Sequence, residues 1–106
     1  MNIEKRLEGG VVGQAVVIGN DRAYLVALLA PDPDHAAGLD AAALRAAGEA
    51  RVQAANAHLA PFEQIKKFAW LPEPLTPENG MLTPTLKLKR RVIAETYRDV
   101  INGLYA

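Results

Sequence analysis

Four cations crowd into five residues near one end of this chain: Lys87, Lys89, Arg90 and Arg91, inside the stretch NGMLTPTLKLKRR at Asn79–Arg91. They follow a turn composition and precede a segment with helical periodicity. The start of a helix carries about half a positive charge, so each cation there costs on the order of 0.3–1 kcal/mol. Local stability does not favour the arrangement; an anion arriving from elsewhere would. The approach is stiffened, because Pro84 fixes its own φ and pushes Thr83 towards an extended conformation. A lysine on an ordered loop can be delivered to one point in space, and its compact ammonium suits a carboxylate or phosphate oxygen. Composition alone favours the plainer reading of a solvated cationic loop, since most charge runs are exposed faces.

The other titratable residues carry weaker signals. His58 lies near the end of a helical segment with Asn56 two residues before it. A general base is feasible there, but a cation near a helix C-terminus is also structurally favourable, and the structural role is preferred. His35 lies in a proline–aspartate loop and has no partner evident in the sequence. Asp32 and Asp34 could hold a cation, yet turn chemistry explains them better. Lys66 and Lys67 straddle a strand, so one points outward in either register. Trp70 reads as a core residue. There is no GxxxxGK[ST] or GxGxxG loop, no metal-ligand spacing and no nucleophile elbow. Nothing here holds a nucleotide unaided, so a functional Lys87 must act on a ligand held by another domain.

The elements that position these residues read as a small α+β domain. Asn2 to Leu7 is a short helical piece ended by Gly9-Gly10. Val11 to Gly19 and Ala23 to Ala30 are apolar strands joined by the turn Gly19-Asn20-Asp21-Arg22. Their near-continuous apolarity implies burial on both faces, or one strand central in a sheet. The run Pro31-Asp32-Pro33-Asp34 stops the second strand. Asp40 to Leu59 is alanine-rich and helical, with Asp40 as N-cap, Gly48 dividing it into two short helices, and Val52, Asn56 and Leu59 on helical spacing. Ile65 to Leu71 is a third strand with Ile65 and Trp70 in the core, and Pro77-Glu78-Asn79-Gly80 is a turn in which Gly80 supplies positive φ. The last segment has the clearest period. Val92, Ile93, Thr96, Tyr97, Val100, Ile101, Leu104 and Tyr105 form one apolar stripe, and Arg91–Glu95 and Glu95–Arg98 fall at pairing distance on the other face. The expected architecture is a three-stranded sheet packed with helices and a long C-terminal amphipathic helix.

The 106 residues suffice for one domain with a modest core, half of them being apolar. Twelve cations balance twelve anions, so electrostatic function must come from local clustering rather than bulk charge. The absence of cysteine excludes disulfides, thiol nucleophiles and cysteine-held metals and favours a cytoplasmic setting. The N-terminus MNIEKRLEGG is charged rather than signal-like, and no apolar run approaches the ~20 residues of a membrane span.

LTPTLKLKRR at Leu82–Arg91 resembles the C-terminal signature of the adenylate-forming acyl-CoA synthetases, most nearly the bacterial long-chain fatty-acid type. NIEKRLE at Asn2–Glu8 is similar to the helix that follows the family's hinge. VVIGNDRAYLVALLAPD at Val16–Asp32 resembles its strand pair. NAHLAPFEQIKKF at Asn56–Phe68 and TPENGMLTPTLKLKRRVI at Thr76–Ile93 follow the long-chain pattern closely. The resemblance implies a C-terminal lid domain spanning 1–106, with the large ATP-binding domain and the hinge upstream of Met1, in a chain excised or separately expressed. It implies a reaction in which ATP and a fatty acid give an acyl-adenylate, which CoA then attacks. ATP, Mg²⁺ and CoA belong to the full-length enzyme, and none is expected on this domain alone. The partner is the enzyme's own N-terminal adenylation domain, and the full enzyme could associate peripherally with a membrane.

Carried over by motif, the adenylation lysine falls on Lys87. Many relatives have glycine immediately before it; this chain has Leu86, as the long-chain group does. Lys89 alternates with Lys87 and would leave an extended loop on the opposite side. Lys66 matches a position that meets CoA phosphate in some relatives, and Lys66 and Lys89 are the expected CoA contacts. No metal ligand is implied. Two other readings stand beside this one: an adenylating domain for another acid or for a carrier protein, and a free-standing phosphate-binding module. Neutral total charge and the lack of interleaved aromatics speak against nucleic acid as its ligand.

Overall fold

A computed structural model describes residues 3–19 and 22–106, so Asn2 of the expected first helix and Asn20 and Asp21 of the expected turn lie outside the described residues. The chain divides into two compact units, Met1–Pro74 and Leu75–Ala106.

The first unit is built on one three-stranded sheet of order β1-β2-β3. β1 (Val12–Ile18) pairs antiparallel with β2 (Leu25–Pro31), setting Ala15 against Leu29 and Val17 against Ala27. β3 (Ile65–Trp70) runs parallel to β2, with Phe68 opposite Ala27 and Trp70 opposite Leu29. A parallel neighbour requires a crossover, and the segment between β2 and β3 supplies it through α2 (Pro33–Ala36) and α3 (Ala41–Asn56).

β2 is the central strand, and its residues Val26 to Ala30 are all fully buried, which is why it reads as an unbroken apolar run. On one face Ala15, Ala27, Leu29 and Ile65 pack with Leu7 of α1 (Ile3–Leu7) and Val52 and Ala55 of α3. On the other face Val16, Val26 and Leu28 are equally buried. Each such Val or Leu contributes about 1.5–3 kcal/mol relative to leaving it in water.

Polar side chains fasten the helices to this sheet. β1 is an edge strand, and the N–H of Val17 donates to Oε2 of the buried Glu4 at 2.8 Å. Arg51 of α3 donates through Nε to the Leu7 carbonyl at 3.0 Å, and through Nη2 to that of Glu8. It thereby satisfies carbonyls that the end of α1 leaves open. Asn56 closes α3 and opens β3 together: its amide donates to the Ile65 carbonyl at 2.9 Å and accepts the Ile65 N–H at 2.8 Å.

Three expectations are corrected in this unit. Gly48 does not divide the helix; α3 is continuous over 16 residues, capped as expected by Asp40, which accepts the Ala43 N–H at 2.8 Å. Glycine is there because α3 presses on β3: a Cβ at position 48 would lie 2.5 Å from Phe68 Cε2 and 3.0 Å from Trp70 Nε1. The same approach lets Trp70 Nε1 donate to the Leu44 carbonyl at 2.8 Å. In addition, Asp32 caps a short helix rather than forming only a turn, with Pro33 at its first position, where a missing N–H is harmless. Leu59 is buried as helical spacing implies, but it lies beyond the end of α3.

The second unit contains the turn Thr76–Gly80, a tight hairpin over 82–88, α4 (Arg90–Thr96) and α5 (Arg98–Tyr105). The expected single long helix is interrupted at Tyr97, whose φ of −107° and ψ of 28° leave the helical region. Thr96 and Tyr97 lose χ1 freedom in a helix, and Asp99 is favourably placed in the first turn of a new one. The interruption has two consequences. Val100, expected on the apolar stripe, is 38% exposed, while Ile93 and Ile101 are buried. Glu95 pairs with Arg91 at 3.2 Å as expected, but among the described residues the expected Glu95–Arg98 pair does not form.

The helix–sheet contact at Gly48 gives a stability prediction of unusual sign. Gly48→Ala should gain up to about 1 kcal/mol of helix propensity in an exposed helix. Here the added methyl meets two aromatic rings, and overpacking of that kind costs about 1–3 kcal/mol. Urea denaturation should therefore show a lower midpoint for Gly48→Ala; a raised midpoint would mean the helix does not press on β3 as described.

Candidate functional site

The site is built from the turn upward. Thr76 and Asn79 lock the turn reciprocally: Asn79 Oδ1 accepts the Thr76 N–H at 3.1 Å, and Thr76 Oγ1 accepts the Asn79 N–H at 3.1 Å. Asn79 Oδ1 also takes the Met81 N–H at 3.2 Å, and Gly80 has the expected positive φ, 81°. Met81 and Leu82 then bury their side chains. Chain direction is fixed before the cationic stretch begins.

The hairpin follows at once. Leu82 pairs with Leu88, and the Lys89 N–H donates to the Met81 carbonyl at 2.9 Å. Inside that frame the Thr83 N–H donates to the Lys87 carbonyl at 2.8 Å, and the Leu86 N–H to the Thr83 carbonyl at 2.8 Å. A three-residue connection of this kind ends on a left-handed residue. Here that residue is Leu86, with φ of 66°, the sole non-glycine at positive φ among the described residues. The conformation costs a side-chain-bearing residue about 1–2 kcal/mol, and the Leu86 side chain is 67% exposed, so burial of that side chain does not offset it.

Lys87 is the residue immediately after this strained position. It is exposed, and its ammonium forms no ion pair with any described residue. Lys89 is likewise exposed and unpaired, but it stands at the base of the hairpin rather than its tip, and it serves as the residue before α4 with no side-chain cap. Arg91 is engaged with Glu95 on the surface, a pair of little energetic weight. Within the cluster, then, Lys87 is the cation on an ordered tip with no partner among the described residues.

Lys66 lies in the other unit, on β3, and is exposed together with Lys67, whose Nζ stands 6.0 Å from the Tyr24 ring centroid. His58 is exposed just beyond α3 with no described side-chain partner. His35, which showed no partner in the sequence, finds one: its Nδ1 lies 3.2 Å from Asp32 Oδ2. Asp32 also accepts the Asp34 N–H at 3.0 Å, so both its oxygens are occupied by the cap. Among the described residues no three His, Asp or Glu side chains are grouped so as to hold a metal ion. No described helix is long and apolar enough to cross a membrane.

Sequence reasoning missed Thr83, Asn79 and Leu86 as structural determinants of the tip. The threonine–asparagine spacing of three residues in TPEN was available as a signal, since it is the spacing of reciprocal side-chain capping.

The model of a family described as the AMP-binding enzyme C-terminal domain matches residues 1–106. The chain is 46% identical over 110 residues to a putative fatty-acid–CoA ligase of Mycobacterium tuberculosis, covering 91% of this chain and 19% of that protein. It is 32% identical over 111 residues to a long-chain-fatty-acid–CoA ligase of the same organism, covering 90% of this chain and 18% of that one. Among solved structures, the adenylation domain of a carboxylate reductase from Mycobacterium chelonae superposes with a TM-score of 0.81 at 30% identity, covering 97% of this chain and 17% of that chain. The chain therefore spans less than one fifth of the length of these relatives.

The Asp32 cap gives a pH prediction. Desolvation raises its pKa, but the hydrogen bonds from the Asp34 N–H, the His35 ring and the His35 N–H, with the His35 charge, together outweigh it and leave the carboxyl below the ordinary 3.8. A depressed carboxyl contributes stability above its unfolded pKa and loses it as pH falls through the folded value. The cap should therefore hold at neutral pH and release only in acid below the usual aspartate range. NMR titration of His35→Ala should move the Asp32 carboxyl up towards its ordinary value; an unmoved titration would remove His35 from the cap.

Proposed function

The chain belongs to the family of AMP-binding enzyme C-terminal domains, and on that premise we propose that it is the C-terminal lid of an ATP-dependent long-chain fatty acid–CoA ligase, with Lys87 as its adenylation lysine. The observation that carries the reading is the hairpin tip: an ordered loop ending in an exposed ammonium with no partner among the described residues. The fatty-acid–CoA ligases among its relatives support the substrate class.

In the proposed first half-reaction a carboxylate oxygen attacks the α-phosphorus of ATP and pyrophosphate leaves. Two anions must approach each other. An ammonium placed between them reduces their repulsion and stabilises the charge that develops on the transferring adenylyl group. The ATP and the acid are held by the upstream adenylation domain, the lid's proposed partner. No part of the step is assigned to a metal on this chain. In the second half the CoA thiol attacks the acyl carbon and AMP leaves. Lys66 and Lys89 are proposed as cationic contacts for CoA phosphates, and the complete enzyme is proposed to act in the cytoplasm.

A second reading is favoured by the similarity to a carboxylate reductase's adenylation domain: the same lid on an enzyme that adenylates a different acid or passes the acyl group to a carrier protein. Lys87 would have the same role, so the two readings separate on the acid adenylated and on the acyl acceptor. Full-length protein offered palmitate and ATP should form a thioester with CoA under the first reading; under the second it should load a carrier-protein thiol or leave palmitate unadenylated.

Two outcomes test the role of the domain. The 106-residue chain alone should show no turnover of palmitate, ATP and CoA. In the full-length enzyme, Lys87→Ala should lower adenylation, measured by pyrophosphate release, by about 10²–10³. It should spare thioester formation from a supplied acyl-adenylate. Equal loss in both halves would remove Lys87 from the adenylation step.

A further inference from the structure

We propose that Thr83 is the positioning residue of the hairpin tip, its hydroxyl holding the loop in the one conformation that presents the Lys87 ammonium. The inference rests on the reading of Lys87 as the adenylation lysine and adds a residue that acts through it.

Three polar groups of Thr83 converge on the tip. Its N–H donates to the Lys87 carbonyl at 2.8 Å and its carbonyl accepts the Leu86 N–H at 2.8 Å. Its Oγ1 accepts the Lys87 N–H at 3.0 Å and lies 3.1 Å from Thr85 Oγ1. Both backbone polar groups of Lys87 thus end on one residue. The first two bonds are made by backbone and survive any substitution. The third depends on the side chain, and it ties down the residue next to Leu86, which is held in the left-handed region at φ 66°.

The tip is therefore set by opposing tendencies. A leucine drifts out of the left-handed region unless its surroundings over-determine it, and its side chain is mostly in solvent here, so side-chain packing supplies little of that restraint. The restraint comes from the bonds on either side of it, and the Thr83 hydroxyl supplies the one closest to the lysine. Without it Leu86 relaxes, the peptide leading into Lys87 turns, and the ammonium spends less time where the reacting oxygens meet. A displacement of about 1 Å at a reacting centre is enough for up to a 10²-fold loss. The Thr85 hydroxyl has no equivalent role, since its one tip contact is to the Thr83 hydroxyl itself.

The test compares Thr83→Val, Thr83→Ser, Thr83→Val/Leu86→Gly and Lys87→Ala in the full-length enzyme. Valine keeps shape and burial but cannot accept the Lys87 N–H; serine can. Thr83→Val should lower kcat of adenylation about 10- to 100-fold with KM for ATP and fatty acid unchanged, and should spare thioester formation from supplied acyl-adenylate. Thr83→Ser should keep near-normal kcat. Adding Leu86→Gly to Thr83→Val should recover part of the loss, because glycine occupies positive φ without penalty. Amide exchange of residues 83–88 should quicken in Thr83→Val and not in Thr83→Ser. The proposal is overturned by a normal kcat in Thr83→Val, by equal damage from serine and valine, or by loss in both half-reactions. If Lys87→Ala keeps full adenylation, the lysine reading fails, and amide exchange then reports separately whether Thr83 orders the tip.

Discussion

A lysine can assist a reaction between two anions only if it is held where they meet and left unpaired until they do. Both conditions bear on the loop between Leu82 and Leu88. A flexible loop would spread the ammonium over many positions; a structural ion pair would neutralise it before its ligand arrived. The chain orders the loop through backbone closure between Thr83 and Lys87 and with Leu86 in a left-handed conformation. It meets the second by placing no acidic described residue against Lys87. The reciprocal Thr76–Asn79 turn and the buried Met81 and Leu82 follow from the first requirement, since a hairpin tip is only as well placed as its base.

The first unit solves a different problem, which is to hold short elements to a small sheet. A strand buried on both faces leaves no room for side-chain choice, so β2 is uniformly apolar. The polar work falls to residues at the ends of elements. Glu4 covers an edge N–H of β1, Arg51 takes the carbonyls that close α1, and Asn56 bridges the end of α3 to the start of β3. Each satisfies a partly buried backbone group; a fully buried one left unpaired costs about 1–3 kcal/mol. Gly48 shows the same economy in packing, trading helix propensity for close approach to Phe68 and Trp70.

How much of this was legible in the sequence depended on whether the signal was local. The strands, the N-cap at Asp40, the positive φ at Gly80 and the Arg91–Glu95 pair rest on neighbours in the chain, and they were read correctly. Gly48 was misread because its reason is tertiary: the rings that forbid a side chain there are some twenty residues away in sequence. The break at Tyr97 was missed because the apolar period runs through it, and periodicity reports a face rather than continuity of the backbone. His35 and Asp32 were read one at a time, whereas a three-residue spacing at a helix start brings them together. At the site, residue types located the cluster, and the family resemblance singled out Lys87; neither revealed that Leu86 is strained or that Thr83 restrains it.

The residue that precedes Lys87 decides how much restraint the tip needs. A glycine there adopts positive φ freely, so the tip forms at little cost and needs little restraint. A leucine there penalises the same conformation but narrows the alternatives of the unfolded loop. With leucine, the surrounding bonds must carry the geometry, and a hydroxyl able to accept the Lys87 N–H becomes part of what makes the substitution tolerable. Leu86 and Thr83 are then one device rather than two independent residues. The energetic oddity of the cation cluster takes on a similar sense: its cost is small because the side chains are exposed and screened, while the benefit proposed for Lys87 arises only in the reacting complex. Interactions that strengthen at the transition state, and not before, are the ones that accelerate a reaction.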